Sequence, residues 1–177
     1  MSATGAVAGY LVLQPIFGAP EPGARLTDPA AMALAAVAAF VFGDFALYWS
    51  HRLFHRFPIL WRAHRMHHAP EILTPITAFR FWPQEQIVHI GFAAFTTGFG
   101  LGLVATMLGA SVSPLTLLGV NVFSLLWNLA FAHLRHSHVA MPFPRWLCYV
   151  LVSPHMHQVH HSVEERHHDR NFATVFA

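Results

Sequence analysis

PAAMALAAVAAFVFGDFALYWSHRLFH, residues 29–55, joins two signals that seldom share one segment. Its first 21 residues carry a single charge, Asp44, near their C-terminal end. As a helix they rise roughly 31 Å at about 1.5 Å per residue, enough to cross a bilayer. The stretch then ends in HRLFH (51–55), two histidines four residues apart. An apolar helix that delivers paired imidazoles at its end sets the expectation for the rest of the chain.

The composition suits a chain built against lipid. Of 177 residues, 55% are hydrophobic and 10% are charged, whereas a soluble domain is about 25% charged. A second span is predicted over 87–110, IVHIGFAAFTTGFGLGLVATMLGA. A third runs to residue 132, with Ser113 and Pro114 as N-cap and first helical position. The link between these two spans is short and uncharged, so they form a helical hairpin. Residues 5–17 are apolar but short: a brief span, an interfacial segment or part of a longer helix. Residues 18–30 read as a Pro/Gly-rich loop. The run FPRWLCYVLVS (143–153) is too short to span and is expected at the interface or re-entering. The predicted fold is an all-α integral membrane protein with about three transmembrane helices. Residues 1–28 form an N-terminal segment and loop, and residues 29–177 the main domain. A buried soluble bundle is the alternative, but three long apolar runs are hard to hide in so small a chain.

All ten basic residues are arginines, and they are placed unevenly. Arg52, Arg56, Arg62, Arg65 and Arg80 lie between the first two spans. Arg135, Arg145, Arg166 and Arg170 follow the third. Three spans put both regions on one side, which the positive-inside rule makes cytoplasmic. The net charge of +2 gives no reason to expect nucleic acid as a partner. The first ten residues carry no basic charge, so no secretory signal peptide is expected. The single cysteine, Cys148, excludes an internal disulfide and a multi-thiolate metal site.

The chain holds 15 histidines. His51 and His55 stand at i and i+4; His64, His67 and His68 (HRMHH) and His157, His160 and His161 (HQVHH) repeat a second pattern. On a helix such positions share a face, so each cluster aims imidazoles at a common point. Neutral imidazole is a good ligand for iron, zinc, copper and nickel. Eight ligands exceed the need of one ion and suit two. FAHLRHSH (131–138) adds His133, His136 and His138, of which one or two extend the set. A histidine-rich surface acting as a pH sensor or weak metal sink is the plainer alternative, but it needs no fixed spacing. A zinc protease motif needs glutamate directly after the first histidine, and here Arg52, Arg65 and Gln158 stand there. His89, His155, His167 and His168 fall outside the repeated pattern.

The order HxxxH, HxxHH, a middle group and HxxHH resembles the membrane-bound fatty acid hydroxylase/sterol desaturase superfamily. DFALYWSHRLFHRFPILWRAHRMHHAPEILTPITAFRFWPQEQ and SPHMHQVHHSVEERHHDRNF carry the resemblance, which covers about residues 40–177. It implies a helical, non-haem di-iron oxidoreductase that uses O₂ to hydroxylate or desaturate a lipid of the sterol or fatty-acyl class. It implies electrons from a reductase or a cytochrome b5-like partner. It assigns metal binding to His51, His55, His64, His67, His68, His136, His157, His160 and His161, with His133 and His138 as weaker candidates. Asp44, Glu71, Glu85, Asp169 and Asn171 are candidate partners for the outer ring nitrogens. Asp44 stands out, because a carboxylate within a span is costly; otherwise it is a helix-end residue reaching interfacial water. The sequence departs from the family pattern at Ala173, where a glycine is usual, and lacks the element that follows it. The domain is therefore expected to be incomplete at its C-terminus, with the site residues largely retained and stability and activity left open. Two other functions remain open: a histidine-rich membrane metal-binding or transport protein, and an inactive fragment of the oxidase.

Overall fold

The computed structural model describes residues 3–19, 28–110 and 122–177. Among these the protein is helical, with one isolated antiparallel bridge, Leu151 to Phe176. Two compact units divide the chain: Met1–Ala46 with Gly91–Leu125, and Leu47–Ile90 with Leu126–Ala177.

Helix α2 (Pro29–Arg56) follows helix α1 (Ala3–Phe17) and begins on a clear signal. The Asp28 carboxylate accepts the Ala31 N–H at 2.8 Å, and Pro29 takes the first position, where its missing N–H costs nothing. The helix is 28 residues long. It runs on past the 21 apolar residues and carries HRLFH on its last turns. It stops because Phe57 precedes Pro58, which forces Phe57 into extended backbone (φ −104°, ψ 122°). Pro58 then opens α3 (Pro58–His68). A single extended residue thus separates the helix bearing HxxxH from the helix bearing HxxHH. Helix α4 (Pro83–Met107) closes at Gly109, whose φ of +62° suits a residue without Cβ.

In the first unit, Ala35, Ala39 and Leu101 form the buried core, with Val104 packed on it. Helices α1 and α4 approach backbone to backbone. A Cβ on Gly5 or Gly9 would strike the carbonyl of Phe95 or Phe99, and one on Gly102 the carbonyl of Ala6. Small residues at such contacts are how helices pack without an aqueous driving force. The outer faces stay apolar and uncovered: Met32, Leu34, Val37, Val41 and Phe45 on α2, and Phe92 and Phe95 on α4. Helices α2 (mean hydropathy 2.0) and α4 (1.7) are the described helices long and apolar enough to cross a membrane.

Among the described residues the structure establishes two such helices; the expected third falls partly outside them. Residues 111–121, with the expected start at Ser113 and Pro114, lie outside the described residues. The described remainder is α5 (Val122–Trp127), a π-helical turn (Asn128–Ala132) and a last α-turn (His133–Arg135). The 143–153 run is a 3₁₀ turn at Leu147–Tyr149, with Trp146, Tyr149 and Val150 exposed.

The second unit gathers α3, the His133–Arg135 turn, a 3₁₀ turn (Pro75–Phe79) and α6 (Pro154–His160). The His133–Arg135 turn packs on α6 and on the 3₁₀ turn. Ser153 caps α6 by accepting the Met156 N–H at 3.2 Å, and Pro154 takes its first position. The C-terminal segment folds back over this unit, burying Phe172, Ala173 and Val175. Trp127 and Arg135 both donate to the Thr174 carbonyl, at 2.9 and 2.7 Å. Asp169 and Asn171 sit in the left-handed region (φ 56° and 55°), which short polar side chains tolerate best after glycine. Ala173 is not in that region, so its Cβ brings no backbone strain.

Candidate metal centre

Nine imidazoles converge in the second unit as two groups. His51, His55, His64, His68 and His160 form one, and His67, His136, His157 and His161 the other. Within each group the ligand nitrogens lie within 4.8 Å of one another. Helices α2 and α3 supply four members of the first, and α6 supplies His160. The HxxHH spacing splits each cluster. His67 leaves His64 and His68 for the second group, and His160 leaves His157 and His161 for the first. His136 is the middle-motif histidine brought in; His133 and His138 are exposed and lie outside both groups.

The hydrogen bonds fix what several rings present. His51 donates Nδ1–H to the Phe172 carbonyl at 2.8 Å, and His160 to the Arg170 carbonyl at 2.7 Å. A neutral imidazole has one N–H, so Nε2 of both rings carries a lone pair. These two Nε2 atoms lie 3.0 Å apart. Lone pairs so placed repel unless a cation stands between them. His64 repeats the arrangement, with Nδ1–H donated to Glu85 Oε1 at 2.6 Å and Nε2 3.1 Å from His68 Nε2. In the second group, His136 Nε2 lies 3.1 Å from Nε2 of both His67 and His157. One nitrogen offers either one proton or one lone pair, so protons alone leave a contact unmatched. His55 Nε2 and both ring nitrogens of His161 are buried without a hydrogen-bond partner. Soft-edged nitrogen donors facing inward, some of them unmatched, fit divalent transition ions.

Burial keeps the rings neutral, which is the ligating form. Desolvation, reinforced by neighbouring imidazoles, draws His67 and His160 down to about 4 and His136 to about 3. It pushes His68, His157 and His161 well below the usual histidine range. A cavity of about 560 Å³ opens beside His55, His68, His160 and His161. Trp61 and Val163 give it apolar walls; Ser162, His168 and Asp169 are its other polar residues.

The candidate outer partners fare differently. Glu85 is buried on His64. Asp169 is exposed, with Oδ1 3.8 Å from His55 Nδ1. Asn171 donates to the Met156 carbonyl at 2.9 Å and so anchors the strip whose carbonyls hold His51 and His160. Glu71 is exposed. Asp44 is buried on α2, in the first unit. The spacing pattern missed His89, which forms a third group with His64 and Glu85. The signal was present as EQIVH, a glutamate and a histidine at i and i+4.

Over 137 residues the chain is 28% identical to alkylglycerol monooxygenase from Homo sapiens and 26% identical to that from Danio rerio. The matched part is 77% of this chain and 27% of each relative, so the chain spans about a quarter of their length. No solved structure matches significantly. The family model for fatty acid hydroxylase matches residues 36–177, both histidine groups included. The chain therefore belongs to the fatty acid hydroxylase family.

Proposed function

We propose that the histidine centre holds two iron ions, one in each group, and that the protein oxidises a lipid C–H bond with O₂. The observation that carries this reading is the sorting of nine imidazoles, none of them exposed, into groups of five and four. Ferrous iron, when bound, supplies the electrons and open coordination that activate O₂, chemistry no side chain performs alone. His51, His55, His64, His68 and His160 would hold one ion, and His67, His136, His157 and His161 the other. The carbonyls of Arg170 and Phe172 and the Glu85 carboxylate aim three of these rings. Hydroxylation consumes R–H, O₂, two electrons and two protons and yields R–OH and water. The electrons come from a reductase or a cytochrome b5-like donor. Trp61 and Val163 receive the apolar part of the substrate beside the centre. A glycerol ether lipid leads the candidate substrates because the matched relatives are alkylglycerol monooxygenases; sterol and fatty-acyl lipids follow. In this reading helices α2 and α4 anchor the protein in the membrane, and the arginines beside the histidines support a cytoplasmic centre under the positive-inside rule.

The test is detergent-purified protein loaded anaerobically with ferrous iron, then supplied with ¹⁸O₂, a reductant and alkylglycerol, fatty-acyl or sterol lipids. The expected outcome is about two irons per chain and ¹⁸O in one lipid product; His64→Ala and His157→Ala should each lose one iron and the product. Stoichiometric iron with no product from any lipid would favour metal storage or transport. No specific iron would sink the metal reading itself.

A further inference from the structure

Glu85 is held through one oxygen. Its Oε1 accepts from His64 at 2.6 Å and faces Nε2 of His89 at 3.7 Å. Its Oε2 is buried without a hydrogen-bond partner. Glutamate has three rotatable side-chain bonds, and a buried carboxylate with too few partners is costly. Something must therefore keep this carboxylate on His64. His89 lies one turn further along α4, on the same face. Its ring is gripped by α2 at two points. Nδ1 is 2.7 Å from Ser50 Oγ, and the ring stacks on Phe54 with centroids 4.8 Å apart and planes at 28°. Ser50 and Phe54 are both about 2% exposed. When the Ser50 hydroxyl gives its proton to Nδ1 rather than to the Leu47 carbonyl, which it also meets at 3.2 Å, Nε2 carries the ring N–H and faces Glu85 as a donor.

We propose that His89 is a positioning residue: through Glu85 it fixes the orientation of His64 in the metal centre. The chain Ser50–His89–Glu85–His64 ties the imidazole of α3 to α4 and to the buried side of α2. This rests on the two-metal reading for its purpose, but not for its geometry. The same three groups, His64, Glu85 and His89, lie close enough to hold an ion themselves. That arrangement would put the ion in place of the His64 Nδ1 proton and is the competing outcome.

The experiment uses the full chain and three variants: His89→Phe, Glu85→Gln and the double variant. Phenylalanine keeps the stack on Phe54 and removes both nitrogens. Two readouts apply. In metal-free protein with ¹⁵N-labelled histidine, NMR follows the His64 Nδ1 proton, expected far downfield because its hydrogen bond is short. In protein loaded with Co²⁺, visible absorption follows the ligand field and the rate of cobalt release to a chelator. His89→Phe should shift or broaden the His64 proton and speed release of one cobalt about 10-fold, the low end of outer-partner effects. In the Glu85→Gln background the same change should add less than about 2-fold, because the effect runs through Glu85. Ser50→Ala, a milder cut, should move both readouts in the same direction by less, and it keeps the claim testable if His89→Phe misfolds. An unmoved His64 proton in a folded variant, or fully additive effects, would overturn the proposal. So would a third cobalt per chain that His89→Phe removes. If wild-type protein takes no cobalt, the metal reading falls, and the NMR readout alone decides the positioning role.

Discussion

In the five-histidine group, the outer nitrogens of His51, His160 and His64 are engaged by two main-chain carbonyls and a carboxylate. In the four-histidine group, Nδ1 of His157 and His161 is buried without a hydrogen-bond partner, and His67 and His136 have only poorly aligned carbonyls beside them, of Arg80 and Thr77 and of Ala132. Three of the five rings in the first group thus have their tautomers set by the polypeptide before any ion arrives. The second is positioned mainly by ring packing: His67 sits 4.7 Å from His161 by centroids, and His136 sits 4.6 Å from His157. Outer-nitrogen partners typically change metal affinity about 10- to 100-fold. The two groups should therefore differ in how tightly and how early they take an ion, although their ligand chemistry is the same.

The largest effects come from removing the inner nitrogens. His160→Ala should lose the ion of the five-histidine group alone, and His157→Ala that of the four-histidine group alone. Each should lower lipid oxidation by at least the roughly 100-fold seen for strong outer-partner changes. Metal analysis beside product mass spectrometry checks this. Loss of both ions in either variant would mean the groups act as one unit.

Next in size is Glu85→Ala, which should weaken only the five-histidine ion, by about 10- to 100-fold. Chelator competition on metal-loaded protein measures it; equal weakening at both ions would remove the distinction drawn above. A similar competition on wild-type protein should release metal in two phases, the four-histidine group first and about 10-fold more readily. A single phase would place both groups at equal affinity.

Acid sensitivity should be shared by the groups. Above pH 6.5 His67, His136 and His160 are neutral whether folded or unfolded and contribute no pH dependence. Below it the unfolded chain binds protons that the folded one refuses, because the folded pKa values of these rings are depressed to about 4, 3 and 4. Stability of the metal-free fold should thus fall as pH drops from about 6.5 to 4, by up to about 1.4 kcal/mol per pH unit per ring. Thermal unfolding in detergent across that range checks the sign; rising stability towards pH 4 would contradict it.

The smallest effect returns to the comparison. Asn171→Ala puts a Cβ without a polar side chain at φ 55° and removes the bond to Met156. It should cost about 1–2 kcal/mol and slow metal uptake by the five-histidine group only. Asn171→Gly, which accepts the backbone, should recover part of the stability.

Convergence of the imidazoles was legible in the sequence because helical spacing encodes it. The start of α2 was legible too, since proline at a first helical turn has a residue signature. Its far end was not: the apolar run stops near Trp49, but helix continues until Phe57 meets Pro58. The expected third span overlaps residues outside the description and ends in a π-helical turn, whose register no apolar count reveals. The outer-nitrogen partners were half legible. Glu85 is a side chain, and it shows. The partners of His51 and His160 are carbonyls, which every residue carries. Asn171 marked the right place for a different reason: its side chain bends and anchors the strip whose backbone does the holding. Ala173, flagged as a departure from the family pattern, meets a backbone that asks for no glycine.

The bond from His51 to Phe172 also bears on time. Its partners are 121 residues apart in the chain. At a synthesis rate of about 5–20 residues per second, roughly 6–24 s pass between the making of one and the making of the other. During that interval a nascent chain already holds HRLFH and HRMHH, but not the carbonyl that decides which nitrogen of His51 faces inward. Ions met in that window meet loose imidazoles that bind by abundance and affinity rather than by shape. For a metal-binding centre, selection by shape then waits until residues 170–172 have been made and have closed over His51 and His160.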